Sequence, residues 1–106
     1  MRTFPRALAT LRELVARRGD RLRTVSFAEL RQMSSTSIER VTVDSRAATI
    51  ATIVEAREDG TLRVVLQGLM KPMLLPIGRH VALDGFYKHP DESVTPMPDQ
   101  EFHEFE

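Results

Sequence analysis

The run Ala47-Ala48-Thr49-Ile50-Ala51-Thr52-Ile53-Val54-Glu55-Ala56-Arg57 leads through Glu58-Asp59-Gly60-Thr61 into Leu62-Arg63-Val64-Val65-Leu66-Gln67-Gly68-Leu69. Its reading decides the fold. Two stretches of β-branched and aliphatic residues flank an Asp-Gly pair, one of the clearest short-range signals for a β-hairpin. Asp59 and Gly60 both tolerate positive φ, so the spacing predicts a two-residue type I′ turn. That turn sets Val54 opposite Val65, Thr52 opposite Gln67 and Ile50 opposite Leu69 on one face. On the other it sets Ile53 opposite Leu66, Glu55 opposite Val64 and Ala51 opposite Gly68. A three-residue loop slips this pairing by one residue. In either register both faces carry apolar residues, whereas a sheet with one wet face alternates apolar and polar cleanly. The second face therefore needs cover, from helices, from closure into a small barrel, or from another subunit.

Upstream of the hairpin, Pro5 to Arg17 reads as an amphipathic helix. Phe4, Leu8, Leu11 and Val15 recur at helical spacing, with Ala7 and Leu14 widening the apolar stripe. Pro5 suits the first turn, Thr3 stands ready to cap, and Gly19 is placed to end the helix in a left-handed cap. Ser26-Phe27-Ala28-Glu29 has the form of a capping box, which starts a second short helix to about Met33. Ser34 to Ser37 is a polar connector without the glycine framework of a phosphate loop. Ile38 to Asp44 is a first strand, turning tightly at Asp44-Ser45-Arg46.

Downstream, Met70 to Gly78 is broken by Pro72 and Pro76 and reads as an edge or crossing segment. Its methionines and leucines still need an apolar surface. Arg79 to Lys88 is a further strand, with Val81, Leu83 and Tyr87 on one face and Ala82 and Phe86 on the other. Val94 to Met97 returns as a short edge strand, and Pro98-Asp99 opens one helical turn. The order of helices before strands predicts an α+β fold. Two N-terminal helices precede an antiparallel β-meander of four or five strands, strongly curled or barrel-like. The length of 106 residues fits a single domain, 1–106. Within it, 1–33 is helical, 38–97 the meander and 98–106 an acidic tail.

The chain has no cysteine, which removes disulfides, thiolate metal sites and thiol nucleophiles. No apolar run reaches the roughly 20 residues of a membrane span, and the N-terminus lacks a secretory apolar core. A cytoplasmic protein without a membrane partner is the expectation. Net charge is zero but unevenly spread. Residues 1–33 hold eight arginines against three acids, and residues 89–106 hold six acids with no lysine or arginine. Contact between the basic start and the acidic end, within one chain or between two, or simple solvation of both, accounts for that asymmetry; the tail carboxylates are expected to stay ionised in solvent.

His80, Asp84, His89 and His103 do not match a zinc-ligand spacing, and no nucleophile elbow is present. Neither a metal, a cofactor nor a catalytic residue is expected. The leading reading is a small non-catalytic protein-interaction module that pairs with itself as a homodimer or with another protein. Its candidate surface is Met70, Met73, Leu74, Tyr87 and His89. The alternative is nucleic-acid binding, with phosphates held by Arg6, Arg12, Arg17, Arg21 and Arg23. A third reading is a small-ligand site or enzyme centred on His80, Tyr87 and His89.

Overall fold

A computed structural model describes residues 4–70 and 80–105. The chain runs α1 (Phe4–Arg23), α2 (Phe27–Gln32), β1 (Thr36–Val43), β2 (Arg46–Ala56), β3 (Leu62–Met70), β4 (His80–Lys88), β5 (Val94–Pro96) and a 3₁₀ helix, η1 (Asp99–Phe105). The five strands form one antiparallel sheet in sequence order, β1-β2-β3-β4-β5. The α+β meander is as read from the sequence, but the barrel is not. The sheet is neither closed nor strongly curled, and among the described residues β1 and β5 are its two edges.

The type I′ turn sits elsewhere than expected. Asp44 and Ser45 take φ of 49° and 66° and join the paired residues Val43 and Arg46. At the central hairpin the three-residue loop wins. The Arg57 N–H donates to the Thr61 carbonyl (2.9 Å) and the Gly60 N–H to the Arg57 carbonyl (3.0 Å), with Gly60 at φ 89°. Asp59 does not turn left-handed. Its Oδ1 instead accepts the Thr61 N–H at 3.0 Å and the Thr61 hydroxyl at 2.6 Å, which holds the carboxyl below the usual carboxylate range. The pairing is therefore slipped by one residue: Val54 faces Val64, Ile53 faces Val65, Thr52 faces Leu66, Ala51 faces Gln67, Ile50 faces Gly68 and Glu55 faces Arg63. The β4–β5 loop repeats this design, with Asp91 accepting the Ser93 N–H (2.9 Å) and hydroxyl (2.6 Å). There Glu92 takes the left-handed position at φ 77°. Its carboxylate accepts the Phe27 N–H at 3.0 Å, at the start of α2.

The first face of the sheet packs under both helices. Ala7, Leu11, Val15 and Leu30 meet Val43, Ala48, Ile50, Val54, Leu62, Val64, Leu66, Met70, Ala82 and Phe86, all buried. α2 begins as read, with Ser26 Oγ accepting the Glu29 N–H at 3.1 Å. α1 does not stop at Gly19, which lies buried inside it against β4. A Cβ built at Gly19 runs into the Asp84 carboxylate, and one built at Gly68 comes within 2.8 Å of Val15 Cγ2. The two glycines let the helix lie low on β3 and β4. Its last turn is anchored there: Arg23 forks onto Asp84 (2.8 and 2.9 Å) and stacks 4.8 Å from the Phe86 ring centroid. Buried Lys88 Nζ donates to the Arg23 carbonyl at 3.1 Å, a cation at the negative end of the helix.

Two stability measurements check this packing. Helix propensity alone makes Gly19→Ala a gain of about 1 kcal/mol. The close approach to Asp84 makes it a net loss of about 1–2 kcal/mol, because crowding a packed contact costs about 1–3 kcal/mol. A urea midpoint that rises in Gly19→Ala contradicts the packing described. Replacing Asp44-Ser45 by Asn-Gly fits the observed turn and raises stability by about 0.5–1 kcal/mol in the same assay.

Candidate interaction surface

The second face of the sheet is assembled from odd-numbered residues of β2, β3 and β4 and even-numbered residues of β1. The register lays these out in cross-strand rows. One row is Glu55, Arg63 and Tyr87; the next is Thr36, Ile53, Val65 and Gly85. Further along come Ile38, Ala51, Gln67 and Leu83, and then Arg40, Thr49, Leu69 and Val81. Arg63 and Val65 are buried although no helix of the N-terminal pair reaches them. Over Arg63 lies the chain's own acidic end.

That cover is fixed at Met97, which is buried against Gly85: a Cβ added at Gly85 stands 3.0 Å from Met97 Sδ. From there η1 crosses the sheet. Arg63, 6% exposed, is the hub. Its Nε donates to Glu55 Oε1 at 2.6 Å, its Nη1 to Glu101 at 3.0 Å and its Nη2 to Glu104 at 3.2 Å. Its guanidinium also lies 5.2 Å from the Phe105 ring centroid. The Tyr87 hydroxyl donates to Glu101, Gln67 Nε2 donates to the Phe105 carbonyl, and Arg57 lies 5.3 Å from the Tyr87 ring centroid. Burial by itself lowers the pKa of Arg63, but its hydrogen bonds to Glu104, Glu55 and Glu101 outweigh that and raise it. The Tyr87 hydrogen bond, followed by Arg63, holds the Glu101 carboxyl below its ordinary value. Burial, followed by the bond to Glu101, pushes the Tyr87 phenol up.

The acidic tail is thus paired with β3, on the opposite side of the sheet from the basic helix, and the two charged ends do not neutralise each other through it. α1 finds its own carboxylates: Arg18 forms a two-pronged pair with Glu39, and Arg23 pairs with Asp84. The carboxylates of Glu101 and Glu104 are partners of a buried arginine rather than solvated bystanders. Arg63, the one charge in a largely apolar central strand and close to its start, was the sequence signal for this site.

β1 closes the other side of the sheet and is exposed for most of its length. Ile38 is 68% exposed. The Ser35 carbonyl accepts the Val54 N–H at 2.9 Å, and the two-residue turn closes on Val43 and Arg46. Odd-numbered residues of β1 therefore exchange hydrogen bonds with β2. Thr36, Ile38, Arg40 and Thr42 direct their N–H and C=O groups to the open edge.

The residues picked from the sequence are scattered over this framework. Met70 is 1% exposed and belongs to the core, so it is not on a surface. Met73 and Leu74 lie outside the described residues. Tyr87 is half-buried with its hydroxyl on Glu101, and His89 Nε2 is 2.9 Å from Thr95 Oγ1. His80 pairs with Met70 at the far end of β4, about 23 Å along the strand from Tyr87 at its usual rise. His80, Tyr87 and His89 are not one site. Arg6, Arg12, Arg17 and Arg21 are exposed on α1 with Glu13 and Asp20 between them, while Arg23 is held by Asp84. Among the described residues, no helix is long and apolar enough to cross a membrane.

The pH dependence of the Glu101–Tyr87 contact follows from the two opposed shifts. Glu101 is depressed from 4.5, so its contribution is complete above that value and is lost as pH falls through the folded pKa. Tyr87 is raised from 10.0, so its contribution is complete below that value and is lost as pH rises through the folded pKa. Since Tyr87 is the chain's one tyrosine and there is no tryptophan, ultraviolet titration of the phenolate reads this site alone. The native midpoint lies above 10.0 and returns to the ordinary value in denaturant; equal midpoints contradict the contact. No protein-family model, curated protein or solved structure matches this chain.

Proposed function

We propose that the chain is a non-catalytic protein-interaction module that self-associates through β1, edge to edge. The observation carrying this reading is Ile38: a large aliphatic side chain, 68% exposed, on a strand whose outer backbone groups face the open side of the sheet. Such an edge is a template for another strand. β1 has no proline or lysine to blunt it.

Antiparallel pairing of two copies restricts the register. Centring on Glu39 or on Arg40 sets like charges directly opposite each other, which is destabilising. Centring on Val41 leaves Ile38 outside the paired region. Centring on Ile38 pairs the two isoleucines, sets Glu39 opposite Ser37 and Arg40 opposite Thr36, and uses the outward hydrogen-bonding groups of the even-numbered residues. The exposed arginines of α1 support a second reading, phosphate binding, but Glu13 and Asp20 interrupt them and Arg23 is engaged elsewhere.

Light scattering over a concentration series tests the proposal. The mass rises toward twice the 12.0 kDa of one chain for the native sequence and stays at one chain for Ile38→Lys. Thermal stability of the dilute protein is unchanged within about 0.5 kcal/mol, because the site is exposed. A native chain that remains monomeric at every concentration, or an Ile38→Lys variant that dimerises equally well, overturns it. Salt-sensitive retention on nucleic acid, lost in Arg12→Ala/Arg17→Ala, favours the second reading instead.

A further inference from the structure

The cover over Arg63 differs from the cover over the other face. No residue of η1 is buried, and the segment is seven residues of 3₁₀ helix, a geometry that is rarely sustained at that length. Its contacts with the sheet are mainly charged and hydrogen-bonded. The participating carboxylates of Glu55 and Glu104 are 45% and 56% exposed, so water and salt weaken them. Arg63 itself is a poor choice for a purely structural plug. A buried ion cluster is often no more stable than apolar residues of similar volume, and the neighbouring rows of this face are already apolar. What an arginine fork does better than an apolar side chain is recognise carboxylates.

The cradle is also open on one side. An open cavity of about 470 Å³ lies beside Arg63, lined by Glu55, Ala56, Arg57, Glu58 and Asp59. Arg57 over the Tyr87 ring and Arg63 over the Phe105 ring add aromatic recognition beside the charges. The chain's own segment supplies the matching pattern: Glu101 and Glu104 three residues apart, with Phe105 following the second.

We infer that Arg57, Arg63 and Tyr87 form a binding site for an acidic peptide segment carrying two carboxylates three residues apart and an adjacent aromatic ring, and that residues 99–105 occupy it as a displaceable internal ligand. This site is separate from the β1 edge and stands whether or not the edge pairs. Binding of such a peptide exchanges one set of ion pairs for an equivalent set, so displacement requires peptide above the effective concentration of the tethered segment, on the order of mM.

Tyr87 reports the exchange, because an ionised carboxylate accepting the phenol proton quenches tyrosine emission. The test uses the full-length chain with Glu101→Gln and Glu104→Gln, and a synthetic peptide of the sequence of residues 97–106, which has no tyrosine or tryptophan. The double variant emits more strongly than the native chain. Added peptide restores the quenching saturably, and the same peptide carrying Glu101→Gln and Glu104→Gln binds about tenfold or more weakly. In a second arm, the native chain with excess peptide loses hydrogen-exchange protection over 101–105 while α1 keeps its protection. This arm needs no substitution and decides the matter should the variant unfold. The site is overturned by equal binding of the two peptides, or by native protection over 101–105 that excess peptide leaves unchanged.

Discussion

β3 is dry on both sides. All of its described side chains are buried except Gln67 and Leu69, which are half-buried, and every other strand is placed by its distance from this one. A strand buried on both faces demands two covers, and a chain of this length supplies them from its two ends. The N-terminal helices cover one face with aliphatic packing; the C-terminal segment covers the other with an arginine and its carboxylates. The first cover is driven by removal of apolar area from water, at roughly 25 cal/mol per Å². The second exchanges hydrated charges for paired ones, with a small net gain. The two sides of one sheet are therefore held by forces of different kind and different sensitivity to solvent.

The close fit of α1 depends on what is absent from the sheet and the helix. Gly19 and Gly68 remove the side chains that would hold the helix away. In the space gained, Arg23 reaches Asp84 and Phe86, and Lys88 reaches the last carbonyl turn. The arginines that give the N-terminal segment its basic character thus divide into two groups. Arg18 and Arg23 are tied to Glu39 and Asp84, while Arg6, Arg12, Arg17 and Arg21 face solvent. Charge counted along the sequence does not separate the two.

The meander, its order and most element bounds were legible because alternation in strands and the helical stripe of Ala7, Leu11 and Val15 are local signals. The hairpin register was not, because the Asp-Gly pair suits more than one turn. The cross-strand partner of Glu55 carried the missing information. One register sets it against Val64 and the other against Arg63, and only the second makes an ion pair. Gly19 was misread as a helix end because its reason for being glycine is Asp84, far away in sequence. The tail was read as solvated acid for the same reason: Glu101 and Glu104 are given their role by a residue on β3. The candidate surface residues could not be placed from alternation alone. Met70 is core, and Tyr87 is claimed by Glu101. Exposure depends on which face each cover takes, and that is a tertiary fact.

Amide hydrogen exchange as a function of salt separates the two covers most directly. Charge pairing over Arg63 and apolar packing under α1 respond to salt in opposite senses. Raising sodium sulfate from low to high ionic strength lowers the protection of residues 101–105 while that of residues 7–22 holds or increases. Parallel responses of the two segments contradict a sheet covered by packing on one face and by charge on the other.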